Sequence, residues 1–398
     1  MANILADGTS KQHWMPRFQR TLDKTLVSKS IAEVYTGPDR LIHNPYGSTP
    51  VASDGTAATT YSITDFTLTD DTLTVNRRAT SAEHIDNIEQ LQTRYDLAMA
   101  RADRQAYTVR DTIDQYVLKL PVAYSGVTTV TAGDFAGTAG AAYASSNSVV
   151  DDIANFVRTS LMLNNSGAER GLFWVVSPYE AADIASFTQN NGFTSSDYAI
   201  KNGFTGENFG GLDIIVSNNL YHTVTLGLIT NVTAGDTITV AGVTFTARAV
   251  PALPGEFDIG ASADATRIII ANAINGAATG KDSATGYFEV STVNRAKLQR
   301  LQVVATDVAA SDTMTMTANG TLIVSETLTD ATDTWGTVSR NTIAGVKGSI
   351  FLALPSGGSD FVKKEVSGKH GLEVVTSQIY NAGIWYEQLG EIMVVKLS

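Results

Sequence analysis

The stretch from residue 171 to residue 220 constrains this chain more than any other, because each part of it dictates a backbone shape. It reads GLFWVVSPYEAADIAS, then a polar loop, then KNGFTGENFGGLDIIVSNNL. Residues 172–176 are a continuous apolar run of strand length that stops at Ser177-Pro178. Ser177 suits a helix N-cap, and Pro178 suits the first helical position, where its missing N–H costs nothing. Glu180, three residues on, completes a capping box. Asn202-Gly203 supplies the positive φ angles of a tight turn, and Gly210-Gly211 lets the backbone bend into a second apolar strand at 212–216. The predicted order is strand, helix, turn, strand.

Upstream, residues 61–78 alternate, with Phe66, Leu68, Leu73 and Val75 on one face and Thr67, Thr69, Thr72 and Thr74 on the other. Placing Asp70-Asp71 at a turn predicts a β-hairpin. Two strands alone are marginal in water, so its apolar face needs something to lean on. Over residues 82–120 apolar side chains recur every three to four positions, which predicts one amphipathic helix of about 55 Å, ended by Pro121. Ala at three central positions makes a poor coiled-coil seam. A Gly/Ala/Ser/Thr-rich loop over 122–147 follows, and Ser148 then reads as the cap of a helix over 149–163. The first 55 or so residues hold one predicted helix, 17–34, and then chain punctuated by Pro38, Pro45, Gly47 and Pro50. Such a segment has little to pack on within itself.

After Leu220 the character changes. Residues 227–338 are rich in Thr and Ala. Thr237-Ile-Thr-Val and Val243-Thr-Phe-Thr flank Ala241-Gly242 as a hairpin, a helix over 264–275 stops at Gly276, and strands are predicted at 287–293, 301–305, 313–317 and 321–325. This reads as a self-sufficient ββαβββ block, with six Lys and Arg against eleven Asp and Glu. From residue 341 the earlier style resumes, with strands predicted at 348–354, 371–375 and 391–397 and a turn at Gly357-Gly358.

The strand ending in V-x-S-P, the helix after it, and the run G-hydrophobic-D-hydrophobic-hydrophobic-V-S-N-N-L at 211–220 resemble the major capsid proteins of tailed bacteriophages, whose shared architecture is the Hong Kong 97-type capsid fold. The segment AGVKGSIFLAL, 344–354, resembles the part of the axial domain that normally follows V-S-N-N-L within a few tens of residues. Residues 1–226 and 338–398 carry the resemblance. It implies an α+β subunit with an N-terminal arm (1–60), an E-loop hairpin (61–81), a spine helix, peripheral domain and first part of the axial domain (82–226), an inserted β-rich domain (227–338) and the rest of the axial and peripheral domains (339–398). Insertions into surface hairpins are well tolerated.

The same resemblance implies a major capsid protein that self-assembles through pentamers and hexamers into an icosahedral shell around viral dsDNA. It implies a virion location after assembly in the host cytoplasm, a separate scaffolding protein and a portal, and DNA held without sequence specificity. The insert is a candidate contact for a decoration protein or a surface glycan. Trp14, Phe66, Leu68, Leu73, Val75, Arg77 and Arg78 are the candidate subunit-interface residues. Some members cross-link an E-loop lysine to an asparagine of a neighbour. This chain has no lysine between Lys29 and Lys119, and the guanidinium groups of Arg77 and Arg78 stay protonated, so no such cross-link is expected through this loop.

Composition agrees without deciding. With no cysteine among 398 residues, disulfides, thiolate zinc sites and thiol nucleophiles are excluded. A net charge of −12 argues against a dedicated nucleic-acid binder, which would show a basic face. No apolar run approaches the ~18 residues of a membrane span, and residues 1–20 lack a signal-peptide core, so a cytoplasmic folding site and no membrane partner are expected. Gly276-Ala-Ala-Thr-Gly280-Lys281 has three residues between its glycines where a P-loop needs four, and Asp282 where it needs Ser or Thr. His13, His43, His84, His222 and His370 show no metal-ligand spacing and read as lone surface residues. Ser359 lacks the final glycine of a nucleophile elbow. Asp70-Asp71 reads as a turn and Asp151-Asp152 as a helix first turn. Trp174 reads as core, and the four tryptophans are too dispersed for a base-stacking platform. No catalytic residue, metal or cofactor is expected. Two rival readings are an encapsulin-like nanocompartment shell and a phage tail or adhesin protein.

Overall fold

A computed structural model describes residues 27–47, 67–85, 97–135, 137–146, 148–163, 170–190, 209–365 and 371–398, which form a mixed α+β fold. Its largest sheet has eight strands. The main order is Val304–Val308, Thr313–Asn319, Tyr221–Gly227, Ser339–Val346, Ile392–Leu397, Thr128–Val130, and Leu172–Val176 pairs with both Ser339–Val346 and Leu212–Val216. Ser339–Val346 is the hub. One edge is antiparallel to Ile392–Leu397, and the other is shared between Leu172–Val176 and Tyr221–Gly227. Gly345 is required there, because a Cβ would lie 2.7 Å from the carbonyl oxygen of Glu391.

The apolar run 172–176 is explained by burial on both faces. Phe173 and Val175 meet Ile113 and Ile343, while Leu172, Trp174 and Val176 meet Ile153, Val157 and Leu161. Each such side chain contributes about 1.5–3 kcal/mol. Trp174 is core as expected, its indole N–H donating to Thr342 Oγ1 at 3.0 Å. The helix Pro178–Asn190 begins where predicted: Ser177 N–H donates to Glu180 Oε2 at 3.0 Å and Tyr179 N–H donates to Ser177 Oγ at 3.2 Å. Leu212–Val216 follows as a parallel partner of the first strand, entered through Gly210 and Gly211 at φ +61° and +88°. The predicted turn at Asn202-Gly203 lies outside the described residues.

A five-stranded sheet carries Ala32–Tyr35, Ile350–Ala353, Leu372–Gly383 and Ser359–Glu365 in that order, with Arg77–Ile85 also on Leu372–Gly383. The helix Leu97–Ala123 lies across it, burying Ala106, Val109, Ile113 and Val117 at spacings of three and four. Gln105 ties the two together, its Nε2 donating to the Val374 carbonyl at 3.0 Å and its Oε1 accepting from Thr376 Oγ1 at 2.7 Å. Both predicted ends of this helix need correction. Residues 82–85 belong to a strand held by nine consecutive pairs from Leu372↔Ile85 to Tyr380↔Arg77, which outweigh the local helical spacing. Pro121 sits inside the last turn, where it removes one hydrogen bond to the carbonyl of the preceding turn, and the helix continues to Ala123.

The predicted hairpin turn at Asp70-Asp71 is also wrong. Leu68–Thr74 is one unbroken strand, antiparallel to Leu41–Gly47 over seven pairs. Both aspartates have partners that suit a strand: Asp70 meets His43 Nδ1 at 2.5 Å, and Asp71 accepts from the Tyr386 N–H at 3.1 Å. The two-stranded ribbon therefore draws its first strand from residues assigned to the arm. Of the predicted 17–34 helix, Ser28–Ile31 is helical, while Ala32–Tyr35 is a strand parallel to Ile350–Ala353. Residues 1–26 and 48–66 lie outside the described residues.

Between residues 221 and 338 the order is four strands, two helices, three strands. Thr237–Val240 and Val243–Arg248 form the expected hairpin, with Ala241 and Gly242 at φ +52° and +72°. The helix Ala263–Asn275 ends at Gly276 in the left-handed conformation, as expected. The strand expected at 287–293 does not form: Tyr287 makes only isolated bridges to Phe257 and Lys281, and a helix, Thr292–Arg300, begins at the end of that range, capped by Ser291 Oγ accepting from Asn294 N–H. Two hydrophobic residues, Val293 and Leu298, are too few to show a period. The block has its own hydrophobic cluster, built on Phe245, Phe257, Ile270, Ile274, Met314 and Met316. It is not self-sufficient in hydrogen bonding, because Thr313–Asn319 pairs along all of Tyr221–Gly227 and so continues the large sheet.

Candidate assembly surfaces

Among the described residues, exposed apolar side chains occur on the 227–338 block, at Ile229, Val250 and Ile323, and on the two-stranded ribbon. Leu41, His43 and Pro45 alternate with Ile42, Asn44 and Tyr46 along the first strand, and Leu68 continues the outward set on the second. Leu41 and Leu68 are 50% and 64% exposed. The inward set meets the body: Ile42 and Leu73 pack on Val75, Phe351, Ala353 and Trp385.

The sequence-predicted interface residues therefore divide. Leu68 is exposed on the outer face. Leu73 lies on the opposite face, because five positions along an unbroken strand reverse the side-chain direction. Val75 is 3% exposed and belongs to the subunit's own core, which corrects its reading as a surface residue. Arg77 is drawn inward at its tip, its guanidinium carbon 4.1 Å from the centroid of the Tyr116 ring. Arg78 is exposed. Trp14 and Phe66 lie outside the described residues. Leu41 was missed, although the alternation of LIHNPY could have found it; Pro45 disguised the strand.

The segment leading into the ribbon is clasped by the long helix. Asp114, 2% exposed, accepts from Val27 N–H at 3.2 Å, Ser28 N–H at 3.3 Å and Ser28 Oγ at 2.8 Å. Burial pushes its carboxyl above the usual range, while these hydrogen bonds and Arg110 pull the other way. A second buried charge site lies under Pro178–Asn190, where Arg340 Nε donates to Glu180 Oε1 at 2.6 Å and Arg340 Nη2 donates to Ser145 Oγ at 3.1 Å. His222, beside it, is 3% exposed rather than a surface residue, and its Nδ1 donates to the Leu220 carbonyl at 2.9 Å. Burial lowers its pKa.

Several features that hinted at chemistry have structural tasks, and His13 and His370 lie outside the described residues. Gly276 caps a helix, and Arg295 fills the space beside it, donating to the Ile274 and Ala273 carbonyls at 2.6 and 2.8 Å. Lys281 faces Glu289 at 3.2 Å. Asp151 and Asp152 occupy the first turn of Val150–Leu163 as expected. Among the described residues no group of three or more His, Asp or Glu is placed to hold a metal ion. No helix among them is long and apolar enough to cross a membrane. The arrangement presents surface and holds shape.

No protein-family model matches the sequence, and no curated protein matches it. In structure the chain is similar to a chain of Mycobacterium phage Che8, at 11% identity and a TM-score of 0.49 over 89% of this chain and 84% of that one. It is similar to a chain from the capsid structure of the Cyanophage P-SCSP1u, at 11% identity and 0.49 over 93% and 88%. It is also similar to a chain of a virus-like particle from Pyrococcus furiosus, at 8% identity and 0.42 over 97% and 99%.

Proposed function

We propose that this chain is the major capsid protein of a tailed bacteriophage, an α+β subunit of the Hong Kong 97 type whose work is assembly rather than catalysis. The observation that carries the reading is the two-stranded ribbon: an isolated pair of strands with Leu41 and Leu68 largely exposed on its outer face. It precedes a long helix laid on a sheet and the strand, helix, strand unit that gave the sequence resemblance. The inner face is held by the body, which leaves the outer face as the apolar surface that a second copy would cover, and identical contacts repeated about symmetry axes close a shell.

In this reading pentamers and hexamers enclose dsDNA, the residues 1–60 act as an arm across neighbours, and a scaffolding protein and a portal take part in assembly in the host cytoplasm. The 227–338 block is the insert, available to a decoration protein or surface glycan. The ribbon strands Leu41–Gly47 and Leu68–Thr74 and the sequence between them contain no lysine, so no amide cross-link forms through them.

Electron microscopy of the purified protein tests the proposal. Closed icosahedral shells support it, while tubes, fibres or stable monomers overturn it. Nuclease-protected DNA inside the shells distinguishes a capsid from a nanocompartment, which would hold a cargo peptide instead.

A further inference from the structure

The ribbon leaves the body at one small set of contacts, and these converge on a residue that the sequence did not single out. Tyr386 touches both strands. Its ring stacks on Tyr46 of the first strand, with centroids 5.3 Å apart and planes at 22°, and its backbone N–H donates to Asp71 Oδ2 of the second strand at 3.1 Å. Nearer the body the ribbon is fixed firmly. Asn381 Nδ2 donates to the Thr74 carbonyl at 2.7 Å, the Val75 side chain shares a buried cluster with Phe351 and Trp385, and Leu73 packs so closely on Gly383 that a Cβ there would sit 3.2 Å from Leu73 Cδ1. Tyr386 also borders open space. A cleft of about 700 Å³ opens there, lined by Tyr46, Gly47, Thr69, Tyr386, Glu387 and Leu389.

We propose that Tyr386 is the positioning residue that sets the angle at which the ribbon stands from the body. Seven strand pairs make the ribbon stiff along its length, but nothing in a two-stranded ladder fixes its pitch. The contacts at Thr74, Val75 and Leu73 lie close together on one side and serve as a hinge line. Tyr386 is the next point outward, and by holding one strand through its ring and the other through its backbone it resists both lifting and rolling. Tyr386 is itself 63% exposed, so the stack is made in water and is a reversible hold rather than a buried lock. Its purpose in placing the ribbon on a neighbouring subunit rests on the assembly reading; the pivot itself does not.

The absence of native cysteine makes a distance measurement direct. Spin labels at Thr72→Cys on the ribbon and Ser125→Cys on the body, introduced into the full chain diluted with unlabelled protein, report the angle by pulsed dipolar spectroscopy. The otherwise native chain should give one narrow distance. Tyr386→Ala with Asp71→Ala should add a second distance carrying about a tenth or more of the population, while Tyr386→Phe with Asp71→Asn, which keeps the ring and an acceptor, should restore the single distance. A distribution unchanged in the double alanine variant overturns the proposal, and so does failure of the conservative pair to restore it. Circular dichroism and the thermal midpoint establish that both variants fold. If the angle responds but no shells form in any variant, the pivot stands and the capsid reading falls.

Discussion

The side-chain amide of Asn275 lies against the backbone of Ala305 with both of its polar atoms engaged. Nδ2 donates to the Ala305 carbonyl and Oδ1 accepts from the Ala305 N–H, each at 2.8 Å. Val304–Val308 is the last strand of the eight-stranded sheet, and Asn275 stands where a further strand would bond. Edge strands invite pairing between copies, and this one is blocked by a helix terminus. Asn275→Ala should cost about 1–3 kcal/mol for the two backbone groups left unpaired and should make the unassembled chain associate. Urea midpoints and static light scattering check the two effects.

Arg267 is wholly buried. It donates from Nε to Asp307 at 2.8 Å and from Nη1 to the Leu228 carbonyl at 2.6 Å, and its Nη2 also meets Asp264 and Asp312. Asp307 is only 16% exposed, so it is the partner most harmed by losing the cation. Arg267→Met should destabilise the protein by about 3–5 kcal/mol, and adding Asp307→Leu should recover most of that loss. Chemical denaturation of the single and double variants decides. Equal stability of the two would show that Asp307 is not the cause.

Acid should weaken the fold through His222. Its folded pKa lies below the unfolded value of about 6.5, so the unfolded chain binds the extra proton first. Stability is then complete above about pH 6.5 and falls as pH drops below it. Asp114 acts oppositely: its raised pKa gives a contribution that is full below about pH 4 and lost as pH rises through its folded value. His222→Gln should flatten the slope between pH 5 and 7, read as urea midpoints against pH. A slope unchanged in that variant would assign the acid sensitivity to other groups.

Two substitutions, at the start of the strand Leu68–Thr74 and just past its end, should separate folding from assembly. Val75→Asp buries an unpaired carboxylate and should prevent stable folding. Leu68→Ser should change stability by no more than about 0.5 kcal/mol, yet reduce shell yield if the outer ribbon face meets a second copy. Thermal midpoints and negative-stain particle counts provide the comparison.

Deleting residues 228–337 should leave a foldable subunit, because the retained chain on its two sides is already paired, Ser339 with Thr223 and Asn341 with Tyr221. The flanking chain thus meets itself as a short linker would require. The deletion uncovers Val224 and Leu226, so Val224→Thr and Leu226→Thr should accompany it. Insoluble product even with both changes would make the block integral to the fold.

What the sequence disclosed follows from how local the cause was. Residues 172–180 and 237–246 carry their shapes in adjacent residues, a proline at a helix start or an αL pair in a turn, and both read correctly. The ribbon did not, because the partner of Leu68–Thr74 lies some thirty residues earlier and includes a proline. With no visible partner, two aspartates looked like a turn. His43 and the Tyr386 N–H, which explain them, are distant in sequence. Val75 failed for a related reason: alternation tells which side a residue faces but not which side the body occupies. Tyr386 sits in a short 3-10 segment with no periodic signal, so only coordinates could bring it to Tyr46 and Asp71.

The seven-pair ladder between Tyr221–Gly227 and Thr313–Asn319 also decides how the block would respond to being pulled. Tension along those strands loads all seven pairs together in shear, whereas tension across the sheet would open them one after another. A tether fixed to the block and drawn along the strands should therefore transmit its load into Ser339–Val346 and the centre of the subunit before the block tears away.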